Sequence, residues 1–353
     1  MAGETKRNDS KALYDVVGIG NAIVDVISHE DEKFLDSHNL IKDSMALIDT
    51  ETAVSLYNEM SPTVQSSGGS AANTMSGVAS LGGKAAYIGK IRDDHLGEFF
   101  AHDVNAAGVH FEVKPASEGL PTARSMIIVT PDGSRTMNTY LGISTNLSKD
   151  DLDVHLLENA QILYCEGYIW DIETTKDTIR SAIAIAKGAN RTISFTLSDS
   201  FCVSRHKDEW IDLIQGQVDI LFGNEDEIKE LSGCGTLTEA AQWIQGKVKV
   251  ACLTLAERGS IIVTEDEIIG VGAKAVSQVI DSTGAGDLYA SGFLFGYARG
   301  LDLKICGELA SIAAAEIITH TGARPLVPLK SLIESEFRNK CPPKRISMHL
   351  NRN

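Results

Sequence analysis

The chain has 353 residues, 43% hydrophobic and 23% charged, close to the globular average, which excludes disordered and fibrous classes. Lys plus Arg number 32 against 48 Asp plus Glu, a net charge of −16, so nucleic-acid backbones and anionic membrane surfaces are disfavoured as partners. At roughly 100–200 residues per domain, the length favours two domains or one large α/β domain with an insertion.

The first residues, Met1–Ala12, are polar and lack the apolar run of a secretory signal; residues 1–13 read as a flexible tail. Tyr14–Gly20 reads as a short apolar strand. From Gly82 onward strands and helices alternate. Strands are expected over Ala85–Ile91, Ile162–Cys165, Thr192–Leu197, Asp219–Phe222 and Lys249–Leu255. Helices are expected over His95–Ala107 and over Thr174–Lys187, the latter closed by Gly188. That rhythm implies right-handed crossovers and a parallel sheet covered on both faces.

Two stretches break it. One runs from Ile27 to Ser67, with short alternating runs such as Ser44–Asp49. In the other, Arg124–Thr130 and Arg135–Leu141 flank Pro131-Asp132-Gly133-Ser134, a hairpin signal. The expected organisation is a large α/β domain over 14–26, 68–110 and 142–335, a discontinuous β layer over 27–67 and 111–141, and a C-terminal extension over 336–353. No C-x-x-C or H-x-x-x-H spacing offers a metal or redox pair. No apolar stretch approaches the roughly 18 residues of a membrane helix, so a cytoplasmic protein is expected.

Gly18-Ile19-Gly20 lacks the third glycine of a dinucleotide fingerprint, since Ile23 stands there, and no Gly-Lys pair completes a Walker A loop. What remains is Gly20-Asn21-Ala22-Ile23-Val24-Asp25. Its carboxylate, just past a buried strand, suits two adjacent hydroxyls. Alone it reads equally well as a solvated strand-end acid. In Ser67-Gly68-Gly69-Ser70-Ala71-Ala72-Asn73 the paired glycines permit close backbone approach to a ligand, and Ala71–Leu81 follows as a helix closed at Gly82. The bland alternative is a tight helix-start turn. In Asp281-Ser282-Thr283-Gly284-Ala285-Gly286-Asp287, Ser282 or Thr283 can cap the next helix. Unobstructed backbone N–H groups there make an anion site, and Asp287 in the first turn is a general-base candidate. An ordinary capped helix is the competing reading.

These residues resemble the signatures of the ribokinase-like (PfkB) carbohydrate and nucleoside kinases, from about Tyr14 to Pro328. The resemblance implies a ribokinase-like three-layer α/β/α domain with a mostly parallel sheet and a small β-sheet lid. It also implies ATP-dependent phosphorylation of a hydroxymethyl group. Asp287 then looks like the catalytic base and Gly284, Ala285 and Gly286 like the anion hole, with Arg135 the lid arginine that meets the phosphates. Asn21, Asp25, Gly68, Gly69, Ser70 and Asn73 would hold the acceptor. Asn224, Thr254, Gly259 and Thr283 would serve ATP. Asn224 and Glu227 match an N-x-x-E motif that organises Mg²⁺ largely through water, although N-x-x-E alone reads as an N-capped helix. Relatives carry a K⁺ site around Asp281, Thr283 and Gly322, but Leu326 stands where some have a serine ligand. Thr254-Leu255-Ala256 also departs from the usual T-L-G.

Gly68-Gly69-Ser70 is similar to the turn of adenosine-kinase-like members. The expected reaction is phosphorylation of a ribonucleoside 5′-hydroxyl, adenosine to AMP, by a monomer or homodimer. The alternatives are a ribokinase or other free-sugar kinase, and a non-catalytic nucleoside or sugar sensor, against which the intact Asp287 argues.

Overall fold

A computed structural model of the chain describes residues 12–42 and 44–340. Residues 1–11 of the expected tail and 341–353 of the expected extension lie outside that range. The first strand, β1 (Tyr14–Ile19), packs Val17 and Ile19 into one apolar cluster and Val16 into another, as a strand covered on both faces must. After Gly20-Asn21-Ala22 the chain leaves for a smaller sheet. There β2 (Ile23–His29), α1 (Glu32–Ser37), β3 (Met45–Leu47), α2 (Thr50–Glu59) and β4 (Val64–Gly68) follow one another. Helix α3 (Ser70–Ser80) brings it back, with β5 (Ala85–Ile88), α4 (His95–Ala106) and β6 (Val109–His110) behind it. A second excursion builds β7 (Ala123–Val129) and β8 (Arg135–Tyr140), paired antiparallel across the Pro131–Ser134 turn.

From there strand and helix alternate. The elements are α5 (Val154–Glu158), β9 (Ala160–Glu166), α6 (Glu173–Gly188), β10 (Thr192–Thr196), α7 (Ser200–Gln217) and β11 (Ile220–Asn224). Helices α8 (Glu225–Ser232) and α9 (Leu237–Ile244) lead to β12 (Val250–Thr254) and the hairpin β13 (Ser260–Val263) and β14 (Ile268–Val271). Helices α10 (Ala285–Ala298), α11 (Leu303–Ile317) and α12 (Leu329–Lys340) complete the described chain.

The nine-stranded sheet runs β14-β13-β12-β11-β10-β9-β1-β5-β6 and is parallel except at β13 and β14. Sequence order reverses between β1 and β9, a topological switch point, whose C-terminal edge is where such sheets bind ligands. Gly20, Asn21 and Glu166 stand at that edge.

The five-stranded sheet runs β3-β8-β7-β2-β4. Period-two alternation gives it two characters. Met126 and Tyr140 pack against Ala53 and Leu56 of α2. The opposite face carries Asp25, Ser125 and Thr139 in register, with Ile127 paired to Met137 beside them.

Three expectations shift. The small sheet begins at Ile23 rather than after residue 26, so Asp25 lies inside β2 and not at the rim of the large sheet. Two helices interrupt the stretch read as strands, because Asp31 and Asp49 accept from the N–H groups of Phe34 and Thr52 and start α1 and α2. Gly188 lies within α6, and left-handed Asn190 (φ 58°) turns the chain instead.

Helices α3 and α10 cross closely because Gly77 has no side chain. A Cβ there would sit 2.3 Å from Ser291 Oγ and 2.8 Å from Leu288. Gly77→Ala should therefore cost about 1–3 kcal/mol by overpacking. Gly188→Ala, where nothing lies within 4 Å, should stabilise by about 0.5–1 kcal/mol. Urea denaturation of both variants checks the opposite signs.

Candidate active site

The helix starts at α3 and α10 face the same cavity of about 660 Å³. Gly284 precedes α10 in the left-handed region (φ 78°), and no side chain caps the helix. Ser282 and Thr283, the expected caps, are not used: Thr283 Oγ1 instead accepts from Arg135 at 2.9 Å. A Cβ at 284 would lie 2.9 Å from that of Ala323, so glycine is needed for space as well as for φ. Uncapped N–H groups with the helix dipole behind them suit an anion.

Asp287, in the first turn of α10, is held from both sides. Ser70 Oγ donates to its Oδ1 at 2.6 Å and Asn73 Nδ2 to its Oδ2 at 2.9 Å. Burial raises its pKa above the usual carboxylate range, opposed by those two bonds and by Arg324.

Helix α3 starts at Gly69 (φ 92°), also without a cap of its own. A residue 95 positions away supplies it. Glu166 Oε2 accepts from Ala71 N at 2.8 Å, while Oε1 accepts from Asn21 N at 2.7 Å. Burial pushes the Glu166 carboxyl up to about 7 against those bonds. Asp25 lies under Gly68, where a Cβ would come within 2.5 Å of its carboxylate. Burial lifts Asp25 to about 6, opposed by Arg324 and Arg135.

Asn21, Asp25, Gly69, Ser70, Asn73, Asn224, Glu227, Thr254, Thr283 and Gly284–Asp287 line one cavity. Gly68 does not line it but packs directly against the Asp25 carboxylate. Gly259 does not line it: at φ 91°, with Val271 O 2.1 Å from a would-be Cβ, it serves the turn between β12 and β13. Arg135 and Asp281 form a buried ion pair behind the lining, their side chains 9% and 4% exposed.

Asn224 and Glu227 close a capping box at the start of α8. Glu227 Oε2 accepts from Asn224 N at 3.0 Å and Oε1 from its Nδ2 at 2.6 Å, so the bland reading of N-x-x-E describes the observed bonds. Each oxygen keeps a lone pair, which suits a water of Mg²⁺ rather than the ion itself. Asp281 does not fit K⁺ in this arrangement. Its Oδ2 accepts from Arg135 and from Gly322 N at 3.0 Å, and its Oδ1 accepts from Thr283 N at 3.0 Å. Among the described residues no cluster of three or more His, Cys, Asp or Glu could hold a metal. Arg135 does fit phosphate, since its Nε and Nη2 are buried without partners beside Thr283.

Two residues escaped the sequence reading. Glu166 could have been found as an acid at the end of an apolar strand followed by glycine. Arg324, in the loop after α11, carries no motif of its own; it donates to Ser67 O at 2.8 Å and Ala72 O at 2.6 Å.

No helix among the described residues is long and apolar enough to cross a membrane. Residues 39–330 match the profile of the pfkB family carbohydrate kinases. The chain is 48% identical to an adenosine kinase from Sinorhizobium meliloti, with TM-score 0.87 over 92% of this chain and all of that one. It is 44% identical to a probable sugar kinase from Rhizobium etli, also with TM-score 0.87, over 92% and 99%. A nucleoside kinase from Methanothermobacter thermautotrophicus is 27% identical over 89% of this chain and 92% of its own. With a ribokinase-like α/β sheet, a second smaller sheet and this motif set in place, the chain belongs to the PfkB family of carbohydrate kinases, phosphotransferases that act on hydroxyl groups.

Proposed function

We propose that the chain transfers the γ-phosphoryl group of ATP to the 5′-hydroxyl of a ribonucleoside, adenosine to AMP. The observation that carries this reading is the wall opposite the two helix starts. Beside Asp25, the cavity is lined by Ile23, Met45, Leu47, Ile127, Met137 and Leu141. A free sugar offers little apolar surface for such a wall, whereas a nucleobase does. Charge supports a neutral acceptor over a phosphorylated or acidic sugar. Among the described residues six carboxyl groups line the cavity, and the one cationic lining residue, Arg205, is spent on Asp171 by two bonds of 2.8 and 3.0 Å. Among the described residues no side chain or backbone group donates a hydrogen bond to Asp25, so both its oxygens are free for the ribose hydroxyls.

Asp287 takes the proton of the 5′-hydroxyl as the oxygen attacks the γ-phosphorus and the bond to the ADP oxygen breaks. Its raised pKa brings it nearer the operating pH, as a general base needs. The N–H groups of Ala285 and Gly286 hold the phosphoryl oxygens, and the spare Nε and Nη2 of Arg135 reach them from the small sheet, which acts as a lid. When bound, Mg²⁺ supplies charge neutralisation on phosphate oxygens, and Asn224 and Glu227 would hold its water shell. The expected setting is cytoplasmic purine salvage.

Asp287→Asn should lower kcat by about 10²–10⁴-fold with little change in nucleoside affinity; near-normal turnover in a coupled ADP-release assay would remove the base assignment. Asp25→Ala should raise KM for the nucleoside and depress kcat, since charge-assisted bonds to the hydroxyls are worth about 1.5–3 kcal/mol each. Across an acceptor panel, kcat/KM for adenosine should exceed that for ribose, and sugar phosphates should not react. A preference for ribose establishes the free-sugar kinase instead. Glu227→Gln should raise the Mg²⁺ concentration at half-maximal rate; an unchanged titration leaves Glu227 as a helix cap alone.

A further inference from the structure

We propose that Arg324 is a positioning residue for phosphoryl transfer: its guanidinium fixes the Ser67–Ala72 turn beside Asp25 and Asp287 and gives those two carboxylates a shared positive charge. This rests on the kinase mechanism above and not on the identity of the acceptor.

The geometry is that of a staple. Arg324 Nε donates to Ser67 O at 2.8 Å and Nη2 to Ser67 Oγ at 2.9 Å, while Nη1 donates to Ala72 O at 2.6 Å and to Ser76 Oγ. The two carbonyls flank Gly68, Gly69, Ser70 and Ala71. Between them lie left-handed Gly69, the hydroxyl that donates to Asp287 and the N–H that meets Glu166. A planar fork can satisfy both directions at once, which an ammonium group does not. Ser67 is anchored on its other side, donating through N at 2.9 Å and through Oγ to Asp103 of α4. The stretch Gly322-Ala323-Arg324 therefore braces both motif loops. Gly322 N bonds Asp281, Ala323 packs under Gly284, and Arg324 holds the substrate turn.

Asp287 is faced by Asp25 of β2, by Tyr164 and Glu166 of β9, by Tyr168 after it, by Ser70 and Asn73 of α3, and by Arg324. Asp25 is faced in addition by Arg135 and Asp281. Burial lowers Arg324 only to about 10, so it stays charged at neutral pH, and it favours the ionised forms of Asp25 and Asp287. Without it, enclosure would hold protons on both acids, and a protonated Asp287 accepts none from the acceptor.

The test is the pH profile of kcat/KM for Arg324→Gln and Arg324→Lys, with thermal melting alongside. The acceptor is whichever the wild type phosphorylates best. Arg324→Gln should move the acidic limb to higher pH by about one unit or more, the effect of losing a nearby opposite charge. Arg324→Lys keeps the charge and loses the fork, so it should raise KM with the limb in place. A limb that moves equally in both variants, or in neither, overturns the proposal, because a purely structural residue would lower both melting temperatures without separating the limbs. Should Arg324→Gln not fold, Asp103→Asn gives the opposite reading. It removes an anion that shares Arg324, so the limb should move to lower pH, and a limb that stays or rises overturns the proposal. If the wild type prefers a sugar to adenosine, the substrate assignment falls and the Arg324 test proceeds on that sugar.

Discussion

The site depends on one buried carboxylate at the sheet's switch point. Glu166 ends β9 and accepts from Asn21 N, where the chain leaves the large sheet, and from Ala71 N, where it has just returned. The outgoing and returning crossings are thereby tied to the same side chain. Gly20 leaves room for it, since a Cβ there would lie 2.2 Å from Oε2. Either N–H left unpaired in this interior would cost about 1–3 kcal/mol. With its start pinned, α3 crosses α10 at Gly77 and presents Ser70 and Asn73 to Asp287. The orientation of the Asp287 carboxylate is thus set two contacts away, by a residue that does not bond to it.

Around that anchor the molecule concentrates negative charge. Asp25, Glu166, Glu227 and Asp287 all have raised pKa values with burial as the leading cause. Two arginines favour the ionised form of Asp25, and one of them, Arg324, also that of Asp287. Arg324, in the loop between α11 and α12, binds Ala72 of α3 and Ser67 at the end of β4, so it joins the large sheet's helix layer to the small sheet. Arg135 belongs to the small sheet and is paired with Asp281 at the loop that leads into α10. Its pairing there leaves two guanidinium nitrogens, Nε and Nη2, without partners in a buried place. A guanidinium held with unused donors beside an uncapped helix start is poised for a second anion, and under the kinase reading the phosphates satisfy what Asp281 does not.

What could be read from sequence was what is local. The glycine pair, the Asp281–Asp287 run and the Pro131–Ser134 turn act through neighbouring backbone, and their residue types announce positive φ, close approach or a hairpin. The alternation of strand and helix identified the parallel sheet for the same reason. Glu166 and Arg324 were not legible because their partners lie 145 and 257 positions away, and a lone acid or arginine in a loop carries no periodicity. Asp25 was found but misplaced: β1 and β2 are separated by only three residues, so the change of sheet left no mark in composition. Gly259 shows the opposite error, a glycine near a motif whose φ of 91° the β12–β13 turn fully explains.

The small sheet links acceptor chemistry to acceptor shape through the period of a strand. Because side chains alternate, the face that turns Asp25 toward the cavity also turns Ile23, and across the register Ile127 and Met137. A slip of one residue would send all of them to the α2 side and bring Val24, Met126 and Asn138 into the site. The buried cluster of Met126 and Tyr140 with Ala53 and Leu56 of α2 opposes such a slip. One pleated surface can therefore hold the hydroxyls of a ribose at Asp25 and cover a base with its apolar residues. On the proposed reaction, the packing of α2 on the far side is what keeps those two recognition elements at a fixed spacing.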